Sequence, residues 1–170
     1  EGEAFSAAGA SAWQEAGRFT PDQDGSRVTA GLMWHTLTRS CRRLGLETEI
    51  TAFCPRQENA EILLVKVRNT GPLPRRMTPV AAVPLYGRSA DNIRDHRNVT
   101  SMLHRIWTTG DGVFVRPTMS FDERGHRPNH TIYYVCGAGA DGQKPAGFYP
   151  TVDDFIGEGG TFLRPRAVFE

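Results

Sequence analysis

The sequence predicts an all-β protein built as an antiparallel β-sandwich. Short apolar runs alternate with polar residues at a period of two, the pattern of strands that bury one face. Gly, Pro and Asn clusters separate those runs at short intervals, as turns do. The amphipathic helices that a doubly wound α/β fold needs between its strands are missing. At 170 residues the chain is long enough for one domain with a core and short for two. Residues 1–170 are therefore expected to form a single β-sandwich domain fragment.

Small, polar and Gly residues alternate up to Arg27, and the β pattern starts after it. Val28–His35 is the first strand candidate. Glu47–Cys54 alternates, with Thr48, Ile50, Ala52 and Cys54 on one face and Glu47, Glu49, Thr51 and Phe53 on the other. Pro55 ends this strand, and Arg56–Asn59 makes a polar turn. Glu61–Asn69 is the clearest strand, with Leu63, Val65 and Val67 on one face and Lys66 and Arg68 on the other. Asn69-Thr70-Gly71-Pro72 is strong turn chemistry. Met77–Leu85 resumes as a strand, and Pro79 and Pro84 assign it to an edge. Gly112–Arg116 and Thr131–Cys136 complete the strands, the second rich in Ile, Tyr and Val. Arg88–His104 is either a helix or a structured loop. Thr151–Gly157 has a hydroxyl N-cap, acids in the first turn and a closing Gly, which predicts one short helical turn.

Composition excludes several functions. Twenty basic residues nearly balance nineteen acidic ones, for a net charge of +1. A general nucleic-acid binder must neutralise many phosphates, so no nucleic-acid partner is expected. No apolar run approaches the ~18–20 residues that cross a bilayer, and no membrane partner is expected. The chain opens on Glu1 without a leader, and Glu1–Ala16 reads as the middle of something. A fragment or internal domain of a soluble, cytoplasmic protein is the expectation. Cys41, Cys54 and Cys136 are odd in number and widely spaced, which fits neither a disulfide framework nor a zinc knuckle. Cys54 and Cys136 lie in apolar strand-like runs, where a free Cys behaves as a small buried hydrophobe.

Three blocks hold the residues that could carry chemistry. Arg88–Arg105 is dense in Arg, Asp, His and Asn. Its arginines could fork a phosphate or carboxylate, and its Asp and His could bond sugar hydroxyls. It reads more simply as a loop held to the sheet by Arg–Asp pairs. In Ser120–His130, Asp122 and Glu123 are adjacent, so on an extended chain they point to opposite faces. His126 and His130 are four apart, but Gly125 and Pro128 oppose the helix that metal binding at that spacing requires, so no metal is expected. Phe155–Gly160 follows a helical turn instead of opening a helix after a strand, which rules against a phosphate loop. Its glycines are expected to supply turns with positive φ. No nucleophile elbow surrounds Ser101. Trp13, Trp34, Trp107, Phe114, Tyr133 and Tyr134 could stack on sugar rings, although most read more simply as core.

These blocks carry a resemblance. R-S-A-D-N-I-R-D-H-R-N-V-T-S-M-L-H-R, S-F-D-E-R-G-H with Y-Y-V-C-G, and F-I-G-E-G-G with R-P-R-A-V resemble the N-terminal β-sandwich domain of glycoside hydrolase family 94, formerly glycosyltransferase family 36. The earlier F-C-P-R-Q-E-N-A-E-I-L-L-V-K-V-R-N-T-G is similar to the same domain. The likeness runs from about Gly31 to the C-terminus. It implies a galactose-mutarotase-like supersandwich, and a parent enzyme that is a glycoside phosphorylase, such as those acting on cellobiose, cellodextrin or chitobiose. In that family an (α/α)6 barrel supplies the catalytic acid and most of the phosphate site. Inorganic phosphate is the co-substrate, and no cofactor is implied.

This chain ends at Glu170 before any such barrel, so no catalytic residue is assigned within it and the isolated chain is expected to be inactive. The resemblance implies an oligosaccharide substrate, the helical barrel of the same polypeptide as a partner, and a homodimer in which the sandwich lies near the partner's active site. By position in the motifs, Arg94, Asp95, His96 and Arg97, then Arg124 and His126, are the candidates for substrate or interface contact. Two other readings stay open: a stand-alone carbohydrate-binding sandwich using Trp34, Trp107 or Tyr134 as its platform, and a purely structural domain.

Overall fold

The computed structural model of the chain describes residues 25–85, 104–122, 125–161 and 165–169. These divide into two compact units. One holds the first four strands and the last helical turn, and the other holds the remaining elements. Every strand pairing among the described residues is antiparallel.

The first unit is a four-stranded meander of β1 (Ser26–Gly31), β2 (Trp34–Cys41), β3 (Leu46–Phe53) and β4 (Ile62–Asn69), in that order across the sheet. Its two faces follow the alternation in the sequence. On one, Val28, Leu37, Ile50 and Val65 are successive cross-strand partners in a single apolar row. Thr48 and Ala52 are buried on this face, and Cys41, Leu44 and Leu46 form a buried cluster at one end. On the other face, Thr36 Oγ1 lies 3.0 Å from Thr51 Oγ1. There Lys66 Nζ reaches Glu49 at 2.8 Å, and Arg68 reaches Glu47 at 2.7 Å. Both ion pairs join residues in direct register, the arrangement in which cross-strand charges meet.

The turns follow from local chemistry. Gly45 adopts φ +62°, a conformation that costs a residue with a Cβ, and its carbonyl accepts from the amides of Thr70 (2.8 Å) and Gly71 (3.2 Å). The Asn69 turn forms as its sequence predicts. Asn69 Oδ1 accepts from the Gly71 amide at 3.0 Å, and Asn69 Nδ2 donates to the Leu73 carbonyl at 2.7 Å.

Two strand expectations are corrected. Val28–His35 is not one strand, because Leu32-Met33 is a two-residue hairpin turn between β1 and β2. Met33 makes the reversal at φ +64°, where Gly or Asn is usual, so the sequence carries no warning of it. Met77–Leu85 forms no strand. Pro79 and Pro84 lack the amide that a ladder needs, and Met77, Val80 and Val83 are exposed instead of paired.

The second unit contains a three-stranded sheet in the order β5 (Arg105–Thr108), β6 (Gly112–Arg116), β9 (Tyr133–Cys136), and a hairpin of β7 (Thr118–Asp122) with β8 (Gly125–Asn129). Between β6 and β7 the chain breaks at fully buried Pro117 and turns at Thr118, with φ +58° and the Met119 amide donating to the Pro117 carbonyl at 2.6 Å. This is a γ-turn, which throws the chain from one sheet into the next hairpin.

The predicted helical turn is α1 (Val152–Ile156). Thr151 caps it, its Oγ1 accepting from the Asp154 amide at 3.1 Å, and Gly157 closes it at φ +68°. Gly159 also has positive φ, as expected of this block. A second turn, α2 (Arg166–Phe169), follows Pro165. The cysteine reading is partly reversed: Cys41 is buried, whereas Cys54 and Cys136 are exposed. Cys54 falls just past the end of β3 and Cys136 is the last residue of an edge strand, where a strand's outer positions have little to cover them.

Candidate functional site

Two surfaces built on the sheets gather the side chains with the most evident binding chemistry. The first is at the end of the four-stranded sheet. Trp34 opens β2 directly opposite Gly31, and its indole lies where a Cβ on residue 31 would stand. Only glycine permits that approach. The ring forms one side of a groove of about 310 Å³, with Met33, His35, Phe53, Cys54 and Glu61 around it. The Cys54 amide donates to the Met33 carbonyl at 3.1 Å and ties the strained turn to the end of β3. The volume is at the lower end for small-molecule pockets of roughly 300–1,000 Å³. The indole is exposed and can stack on one face of a ligand, while alternation along β2 sends His35 to the opposite face of the sheet.

The second surface is the three-stranded sheet of the other unit. Trp107 on β5 faces Phe114 on β6, and Phe114 faces Tyr134 on β9. The rings stack in series, with centroids 5.7 Å apart at 13° and 5.5 Å apart at 22°. Alternation separates the two faces of this sheet. Ile106, Val113, Val115 and Val135 take the face opposite the rings, where Val115 is 5% exposed, while on the ring face Tyr134 is 59% exposed. The expectation that most of these aromatics are core is therefore corrected: Trp34, Trp107, Tyr133 and Tyr134 are all exposed. For Trp107 and Tyr134, stacking on Phe114 offsets part of the cost of exposure, each stacked pair contributing about 0.5–1.5 kcal/mol.

Arg94, Asp95, His96, Arg97 and Arg124 lie outside the described residues. His126 is placed in β8 by its pairing with Phe121. Of the three platform aromatics, Trp107 and Tyr134 are brought into one row, while Trp34 belongs to the other unit. Sequence reasoning missed the register that unites Trp107, Phe114 and Tyr134. It also missed that Arg105, the last residue of the polar block, directly faces Arg116 beside them. The signal was available as R-I-W followed by F-V-R, two strands in which an arginine and an aromatic share a face.

Residues 19–170 match a family model described as the glycosyl hydrolase 94 supersandwich domain. No curated protein sequence matches the chain.

Proposed function

The chain belongs to the glycosyl hydrolase 94 family as its supersandwich domain, and on that premise we propose that it serves a glycoside phosphorylase as a non-catalytic, carbohydrate-associated domain. The observation that carries this reading is the family match across 152 of the 170 residues, from 19 to 170. The parent enzyme would cleave a β-linked oligosaccharide with inorganic phosphate and release a sugar 1-phosphate. That step needs a protonated carboxylic acid at the leaving oxygen and cations around phosphate. The acid would come from a helical barrel in the same polypeptide, and the supersandwich would help to enclose the site and to form a homodimer.

Surface chemistry supports an accessory role. On β4, Leu63, Val65 and Val67 share one face and are 48%, 52% and 44% exposed. Such a contiguous apolar strip is suited to burial against further polypeptide. In this reading Arg94, Asp95, His96 and Arg97, with Arg124 and His126, form the polar contribution to the active site. The test is phosphorolysis by the full-length enzyme after R94A, R97A and H126A substitution. A fall of tenfold or more in kcat/KM with unchanged thermal stability supports the assignment, and wild-type kinetics in all three would overturn it.

The competing reading as a sugar-binding module is favoured by one observation, the exposed row of stacked rings. Titration of the protein with unphosphorylated oligosaccharides distinguishes it, because a binding module retains affinity when phosphorolysis is abolished.

A further inference from the structure

We propose that the exposed face of the three-stranded sheet is a binding site for a phosphorylated hexose, with the sugar ring on Trp107 and the phosphate on Arg105 and Arg116. Three observations place these groups together. Arg105 and Trp107 alternate on β5, and Phe114 and Arg116 alternate on β6, so all four side chains share one face. Arg105 and Arg116 are directly opposed cross-strand partners, as are Trp107 and Phe114. Both arginines are exposed, and Trp107 is 38% exposed.

Two like charges in direct register disfavour the pairing that brings them together. A sheet that holds two guanidinium groups opposite each other gains from an anion that accepts from both. A phosphate monoester is matched to that task. It carries a charge approaching −2 near neutral pH and offers three acceptor oxygens, enough for two planar forks. A carboxylate carries one charge and satisfies one fork.

The aromatic row sets the rest of the ligand. Arg105 and Trp107 are two residues apart on one strand, about 6.7 Å along it. That separation suits a phosphate joined to a ring resting on the indole. A pyranose presents C–H bonds made electropositive by neighbouring oxygens, and these meet the negative face of an aromatic ring. Nucleic acid would also use rings and arginines, but it needs a broader basic surface than a chain of net charge +1 provides. The proposal rests on this face alone and stands or falls apart from the phosphorolysis reading.

The test is calorimetric titration of the full-length protein with glucose 6-phosphate as the probe and glucose and a short single-stranded oligonucleotide as comparisons. Glucose 6-phosphate is expected to bind with an affinity ten times or more that of glucose. R105Q and R116Q are each expected to weaken binding at least tenfold, and W107A to abolish it as measured by calorimetry. All three substitutions fall at exposed positions, and circular dichroism verifies the fold. The proposal is overturned if glucose 6-phosphate does not bind, if both arginine variants bind it as the unmodified protein does, or if the oligonucleotide binds more tightly than the sugar phosphate.

Discussion

The indole of Trp34 lies across Gly31, its cross-strand partner, so closely that a single added methyl would overlap the ring. The pair closes the hairpin at Leu32-Met33 and forms one wall of the groove beside Phe53. G31A is therefore expected to swing the exposed indole away from the hairpin, at a stability cost of no more than about 1 kcal/mol because neither residue is in the core. In a W13F/W107F background, Trp34 emission should shift to longer wavelength. Unchanged emission would contradict the packing described.

The ion pairs on the outer face of the first sheet are expected to contribute little. Lys66–Glu49 and Arg68–Glu47 are short, but their side chains are between 35% and 69% exposed. Exposed pairs of this kind give about 0.2–1 kcal/mol and weaken with salt. A double-mutant cycle on K66A and E49A should return a coupling in that range that shrinks as sodium chloride is raised.

Thr151 holds α1 by a reciprocal arrangement. Its Oγ1 accepts from the Asp154 amide at 3.1 Å and donates to Asp154 Oδ2 at 2.7 Å. T151A should cost about 1 kcal/mol, and T151S should retain most of the cap. Because a five-residue helix opens locally, hydrogen exchange at Phe155 and Gly157 is the sensitive readout, through their amides bonded to Thr151 and Asp153.

The cysteines should divide by exposure. Cys54 and Cys136 are expected to react with a water-soluble thiol reagent in the native protein, and buried Cys41 only after unfolding. Simultaneous reaction of all three would contradict the burial of the Cys41–Leu44–Leu46 cluster.

Much of the strand pattern was legible because alternation and turn chemistry agreed. Glu47–Cys54 and Glu61–Asn69 were each displaced by at most one residue, and Gly112–Arg116 matched at both ends. The Thr151 cap was readable because its hydroxyl, acids and glycine all lie within one turn. Failures came where a single residue overrode its own preference. Met33 in the left-handed region split an apparently continuous strand. At Met77–Leu85 the apolar residues signalled a strand whose prolines denied it a ladder. The full aromatic row was hidden for another reason: β9 joins β6 across two intervening strands, so its register is a non-local property that no spacing along the chain reports.

The central claim, that this domain serves a glycoside phosphorylase, is tested most directly by phosphate release from α-glucose 1-phosphate with a panel of sugar acceptors, run on the full-length protein and on residues 1–170 alone. Acceptor-dependent phosphate release by the full-length protein, and none by the isolated residues, is the predicted result. Absence of phosphate release from the full-length protein with every sugar 1-phosphate and acceptor tried would contradict it.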